Sequence, residues 1–292
     1  MKEKIVYALG YFDGVHKGHQ ALLQACCQMA QQTGGQTGVV TFLGHPDQVI
    51  RGIPTPLINT APDRHQLLRR WVSRVVELPF DRALMEMPWQ EFFSLLRTEY
   101  HACGLVCGDD FRFGRRGEGN AQKLQEACWE AGIPCQVVAE QLLEGVRISS
   151  THIRSLLEAG RLEEANRFLG HPHLLSGTVI SGHRLGRTLG IPTANLAYPQ
   201  ELLQLPFGVY ACRATVQGQN LVAVTNIGTR PTVGGHRITV EPWLLDFSGD
   251  LYGQALSLEF FAFLRPEQKF VSLEALKEQI HRDAIKAQEL VP

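Results

Sequence analysis

No run of apolar residues in this 292-residue chain approaches the ~20 that a membrane-spanning helix needs. Nor does the start of the chain have the layout of a secretory signal: Lys2 and Lys4 precede a short apolar run that Asp13 and its flanking glycines cut off. Seven cysteines, an odd number, are scattered without a Cys-x-x-Cys pair, which argues for free, mostly buried thiols in a reducing compartment. Excess charge is missing as well. With 28 Lys and Arg against 29 Asp and Glu, the net charge of −1 leaves no electrostatic footprint for nucleic acid or an anionic membrane. These absences lead us to expect a cytoplasmic protein acting on small molecules. At 44% hydrophobic and 20% charged residues the composition is globular, and the length suits two domains on a prior of ~150 residues each.

The first chemistry-bearing stretch is GYFDGVHKGHQ, Gly10–Gln20. It follows the β-branched apolar run Ile5–Leu9 and leads into an apolar-periodic segment, so it reads as strand, glycine-punctuated turn and helix. That geometry aims backbone N–H groups and the positive end of a helix dipole at an anion. Gly10 and Asp13 shape the turn, Gly18 permits close approach of backbone to ligand, and His16 and His19 are expected on one face of the first helical turn. Two imidazoles there can donate to a polyphosphate. Two surface histidines at a helix start are the alternative; zinc is disfavoured because no Cys or acidic residue stands at ligand spacing beside them.

Apolar runs at Thr37–Phe42, Arg74–Leu78, Leu105–Cys107 and Gln136–Val138 alternate with helical patterns at Asp63–Val72, Trp89–Tyr100 and Ala121–Ala131. This predicts a doubly wound parallel α/β sheet with ligands at the carboxyl ends of its strands. A second loop, CGDDFRFGRRGEG, places Asp110, Phe111 and Phe113 after a strand. The two rings are either core residues or an aromatic wall for a planar ligand, with an Asp hydrogen-bonding it. In a third stretch, GVRISSTHIR, the hydroxyls of Ser150 and Thr151 either cap a helix or, with Arg147 and Arg154, clamp a triphosphate.

A helical pattern over Leu156–Leu169 ends at Gly170-His171-Pro172. Short strand-like runs follow at Gly177–Ile180, Gly208–Val216, Leu221–Asn226, Ile238–Phe247 and Ala255–Leu264, with a last amphipathic helix over Leu273–Ala287. They predict a small antiparallel β-barrel closed by a helix, in a domain 173–292 after an α/β domain 1–172. In GHRLGRTLGIPTANL, Gly182 and Gly186 permit approach to phosphate and Arg184 and Arg187 supply charge, without the ending of a Walker A loop. Thr193 and Asn195 offer neutral oxygens two residues apart, suited to Mg²⁺ already partly held by nucleotide phosphates. A turn stabilised by its own side chains is the other reading.

The ordered set GYFDGVHKGHQ, GDDFRFG and ISSTHIR resembles the prokaryotic bifunctional riboflavin kinase/FMN adenylyltransferase (FAD synthetase) family. PTAN, NIGTRPT, Glu241 with LLDFSGDLYG, and LRPEQKF continue the likeness through the second half. The resemblance implies an N-terminal His-x-Gly-His nucleotidyltransferase domain and a C-terminal kinase barrel, with riboflavin, FMN, ATP and Mg²⁺ as substrates and cofactor. It implies Glu241 as base for the ribityl 5′-hydroxyl, flavin contacts at Asp110, Phe111, Phe113 and Arg265, and ATP or phosphate contacts at Asp13 and at the glycines, arginines and hydroxyls named above. The chain departs from the family's usual pattern at Tyr11, Leu43, Gly44, His183, Pro242 and Trp243, and Tyr11 and Leu43 are expected to line the nucleotide pocket. A chain with only the kinase active, or a flavin-sensing regulator, are the competing readings.

Overall fold

The computed structural model describes residues 4–44, 52, 54–181, 190–232 and 235–292. They fall into two compact units, one drawn from Met1–Thr55 and Arg64–Ser150, the other from Pro56–Asp63 and Thr151–Pro292.

The first unit is a five-stranded, all-parallel sheet. Its strands are β1 (Ile5–Leu9), β2 (Gln36–Leu43), β3 (Arg74–Pro79), β4 (Ala102–Gly108) and a later strand, Cys135–Val138, in the order β3-β2-β1-β4 and then that strand. β1 is buried at all five positions, as a central parallel strand covered on both faces must be. Around the sheet run helices α1 (Lys17–Thr33), α2 (Ala61–Arg69), α3 (Arg82–Glu86), α4 (Trp89–Thr98) and α5 (Ala121–Glu130), of which α2 draws residues from both units. The strand order reverses between β1 and β4, so the loops leaving their carboxyl ends diverge and open a crevice. These are the two loops richest in chemistry. All seven cysteines are free, and burial pushes the thiols of Cys26 and Cys107 up to about 11 and 12.

The expected helix over Leu156–Leu169 is two helices, α6 (Ser150–Glu158) and α7 (Leu162–Leu169). Gly160, at φ 73°, takes the left-handed conformation that ends the first.

The second unit is built on a six-stranded antiparallel sheet. Numbering the two-stranded hairpins Arg112–Phe113/Gly119–Asn120 and Leu142–Leu143/Val146–Arg147 as β5/β6 and β8/β9, with Cys135–Val138 as β7, its strands are β10 to β15. These are His173–Thr178, Leu196–Ala197, Gly208–Val216, Gln219–Thr232, Gly235–Leu244 and Ala255–Pro266, in the order β10-β15-β12-β13-β14-β11. The first strand therefore begins four residues earlier than Gly177, directly after Pro172, and β14 stops at Leu244, short of Phe247. β11, two residues long, was not expected at all. The outer strands β10 and β11 approach each other: a Cβ on Gly177 would sit 3.6 Å from Leu196 Cδ2. This makes a nearly closed barrel. Helix α8 (Leu273–Leu290), capped by Ser272, packs Ala284 and Ala287 against Val209, Ala211, Val224 and Ala262. Among the described residues no helix is long and apolar enough to cross a membrane.

Gly208 opens β12 at φ 155°, and a Cβ there would lie 2.4 Å from the carbonyl oxygen of Arg265 on the paired strand β15. Backbone cannot yield as a side chain can. Gly208→Ala is expected to destabilise the barrel by about 2–3 kcal/mol, read as a lowered denaturation midpoint with an unchanged slope.

Candidate active sites

The turn after β1 is held in an unusual backbone conformation. Phe12 (φ 61°), Gly14 (φ 83°) and Val15 (φ 40°) all lie in the left-handed region, where a β-branched valine is a true outlier. Such strain costs about 1–3 kcal/mol per residue and persists only where the surroundings over-determine it. Here Phe12 is fully buried, the Val15 N–H donates to the Phe12 carbonyl, and Gln20 Nε2 donates to the Val15 carbonyl at 2.9 Å. Asp13 is buried, and its carbonyl accepts the Ser150 hydroxyl at 2.9 Å. The turn is thereby tied to the first residue of α6.

His16 stands before the helix, not within its first turn as expected. It is the N-cap of α1: its Nδ1 accepts the His19 backbone N–H at 3.2 Å. A neutral His16 with Nδ1 accepting carries its proton on Nε2. The His16 and His19 rings stack at 3.6 Å and 14°. Burial foremost, then the neighbouring His16 and Arg64, hold His19 well below the usual histidine range, so His19 is neutral at pH 7. A Cβ on Gly18 would come within 3.2 Å of the His16 ring, so the glycine also keeps that ring in place.

These residues line a cavity of about 380 Å³ at the crevice between the β1 and β4 loops. Gly10, His16, Gly18, His19, Asp110, Phe111, Arg147 and Ser150 all border it. Phe113 lies in the core, stacked behind Phe111 at 5.4 Å, and meets the cavity only through that ring. Of the two departures expected at the pocket, Tyr11 lines it, whereas Leu43 is exposed and Phe42 takes the wall position. Arg147 is ion-paired with Asp110 at 3.0 Å and with Glu140. All three are well exposed, so these pairs contribute little and an incoming phosphate can displace them. Thr151 is exposed and Arg154 half-buried on the turn of α6 that follows Ser150. Sequence reading missed Arg64, whose fully buried guanidinium lies over the Tyr11 ring; an arginine on a polar helix pattern carries no signal of burial.

The barrel carries two cavities. One, of about 360 Å³, is lined by Pro192–Asn195 together with Leu244 and the Phe247–Tyr252 loop. Asn195 is buried and its Oδ1 has no hydrogen-bond partner among the described residues. The other, of about 300 Å³, is lined by Glu241, Trp243, Arg265, Glu267 and Phe270. Thr193 borders both. The Ala194 N–H donates to the Pro242 carbonyl at 2.9 Å, fixing the Thr193–Asn195 segment beside Glu241 on β14. Glu241 Oε1 accepts the Thr239 hydroxyl at 2.9 Å, which orients the carboxylate. Arg265 uses Nε and Nη2 on Asp283 at 2.9 and 2.8 Å and Nη1 on the Pro266 carbonyl, so it fastens α8 to β15 at the cavity edge. Gly182, Arg184, Gly186 and Arg187 lie outside the described residues.

Comparison with known proteins bears on both halves. Residues 1–152 match the family model described as FAD synthetase, and residues 169–291 the one described as riboflavin kinase. A bifunctional riboflavin kinase/FMN adenylyltransferase of Escherichia coli K12 is 38% identical over 292 residues, covering 99% of this chain and 93% of that protein. The protein of the same description from Listeria monocytogenes is 35% identical over 285 residues, 95% of this chain and 90% of its own length. Among solved structures, one described as a macrolide-efflux protein from Streptococcus pneumoniae superposes with a TM-score of 0.85 at 30% identity, covering 99% of this chain and 95% of that one.

Proposed function

The chain belongs to the bifunctional riboflavin kinase/FMN adenylyltransferase family, and from that premise we propose that it converts riboflavin to FMN and FMN to FAD with two molecules of ATP. We assign the kinase to residues 173–292 and adenylyl transfer to residues 1–172. The observation that carries the reading is that each unit has cavities of its own: in the first, one bordered by the stacked His16–His19 pair at a helix start; in the second, one bordered by Glu241 and another by Asn195, with Thr193 on both.

In the barrel, Glu241 takes the proton of the ribityl 5′-hydroxyl as its oxygen bonds to the γ-phosphorus of ATP; the bond to the β-phosphate oxygen breaks and ADP leaves. The Thr239 hydrogen bond aims the carboxylate. Thr193 Oγ1 and Asn195 Oδ1 fit as hard, neutral ligands for Mg²⁺, the amide oxygen being buried with no other partner among the described residues. An ion held there would neutralise charge on the transferring phosphates. To Gly182, Arg184, Gly186 and Arg187, which lie outside the described residues, the family resemblance assigns phosphate contacts, and to Arg265 a flavin contact.

In the first unit, an FMN phosphate oxygen attacks the α-phosphorus of ATP and pyrophosphate departs. The charge that builds on the leaving group meets His16 Nε2–H, His19, the backbone N–H groups at the start of α1, and the Ser150, Thr151, Arg147 and Arg154 side chains. Gly10, Asp13 and Gly18 hold the turn that aims these donors. Asp110 and Phe111, backed by Phe113, face the flavin. No covalent enzyme intermediate is required, because positioning and electrostatics suffice for such a transfer.

Incubating the protein with riboflavin, ATP and Mg²⁺ and separating the flavins tests the proposal. FMN is expected first and FAD after it, with one pyrophosphate per FAD. FMN alone would remove adenylyl transfer from the first unit; bound flavin with neither product would favour a sensor.

A further inference from the structure

Arg64, on α2, is 1% exposed, which makes it one of the largest fully buried side chains described. It does not border the 380 Å³ cavity, yet it touches two elements that do. Its Nη2 donates to the carbonyl of Phe42 at 2.8 Å, near the carboxyl end of β2, and its Cζ lies 4.5 Å from the centre of the Tyr11 ring. Its counter-charge is thin: Glu77 Oε1 on β3 is 3.8 Å away, beyond hydrogen-bond length. Its Nε and Nη1 have no hydrogen-bond partner among the described residues.

Such a placement is a poor way to gain stability. A buried guanidinium whose donors are half satisfied is destabilising relative to an apolar side chain of the same volume. What the placement does provide is a fixed positive charge and a flat surface directly behind the cavity wall. We propose that Arg64 is a positioning residue for adenylyl transfer: from behind the wall it fixes the Tyr11 ring and the end of β2, and it presents a permanent positive charge to the His16–His19 pair. This rests on the adenylyl-transfer reading of the cavity.

The charge has a consequence at His19. The groups that act on its ring are His16, on the same turn, and Arg64; Asp109, Asp110, Arg112, Glu140 and Arg147 are charged groups on the loops that border the same cavity, and Asp13 is buried in the turn itself. Positive charge beside an imidazole disfavours its protonation. Arg64 thus helps keep His19 neutral as the pH falls, and with it the stacked geometry of the two rings. Removing the guanidinium charge raises the pH at which His19 protonates. The acid limb of FAD formation then moves to higher pH.

The test uses the full chain as wild type, Arg64→Met, Arg64→Gln and Arg64→Lys. Two readouts are taken: the NMR titration of the His19 ring, identified by its loss in His19→Gln, and the rate of FAD formation from FMN and ATP across the acid range. Both neutral variants are expected to titrate His19 higher by about half a pH unit or more, and to move the acid limb of FAD formation with it. Arg64→Lys should stay near the wild type in both. FMN formation from riboflavin is expected to be unchanged throughout. Arg64→Gln retains a donor for the Phe42 carbonyl, so it decides the matter alone if Arg64→Met does not fold. An unmoved His19 titration and acid limb in the folded neutral variants would overturn the proposal, as would equal loss of FMN and FAD formation with a lowered melting temperature. Absence of FAD from the wild type would instead overturn the parent reading, and the ring titration, which needs no turnover, separates the two.

Discussion

His16→Asn is expected to lower FAD formation by about 10²–10³-fold, the range for losing one transition-state hydrogen-bond donor, while FMN formation from riboflavin stays near the wild-type rate. Asparagine is the informative replacement. His16 caps α1 through Nδ1, and an alanine would remove that cap together with the donor, at about 1 kcal/mol of stability. Asparagine is among the best N-cap residues, so its side-chain oxygen can take over the His19 N–H and keep the helix start in place. What it cannot supply is the Nε2–H on the far side of the ring. Loss of FAD formation with a preserved melting temperature would therefore locate the effect in the missing donor. Equal loss of both products in a folded variant would sink the assignment of the two reactions to two sites.

Glu241→Gln should give the reciprocal pattern. FMN formation is expected to fall by about 10²–10⁴-fold, the usual contribution of a positioned general base, while FAD formation from supplied FMN continues. Glutamine keeps the shape and can still accept from Thr239, so the substitution removes the proton acceptor and little else. The distinction from a binding role lies in the kinetics. A base acting in the transition state lowers kcat and kcat/KM together, whereas a ground-state contact raises KM at constant kcat.

Much of this was readable in the chain itself. β1 and the turn after it were legible because a short β-branched run followed by glycines and a capping residue is a strong local signal, and the alternation of strands and helices predicts the parallel sheet. Thr193, Asn195 and Glu241 came from ordered motifs, and the structure joins their segments through the Ala194–Pro242 hydrogen bond. The misses have physical reasons. His16 is a cap and not a helical residue, a one-position difference that propensity does not resolve. Gly160 did signal a break in the 156–169 helix, but the apolar period continues across it and masks the signal. β11 is too short to have a period. Arg64 shows its role only in three dimensions, since nothing local distinguishes a buried arginine from a solvated one.

The barrel's strand order leaves one line unlaced. Every neighbouring pair in β10-β15-β12-β13-β14-β11 is joined by ladder hydrogen bonds, but β10 and β11 are not: Gly177 faces the Leu196 side chain, with the Ile180 N–H to Asn195 carbonyl bond of 2.9 Å just beyond their ends. Asn195 is also the residue whose buried amide oxygen has no hydrogen-bond partner among the described residues. Occupying that oxygen therefore cross-braces the cylinder along its only open stave among the described residues. Amide protons of Leu196 and Ala197 should exchange by local opening in the free protein and slow markedly with Mg²⁺–ADP, while those of central β12 and β13 exchange only through global unfolding in either state. Substrate would then act as a mechanical fastener for the barrel, tightening it where its own hydrogen bonds do not.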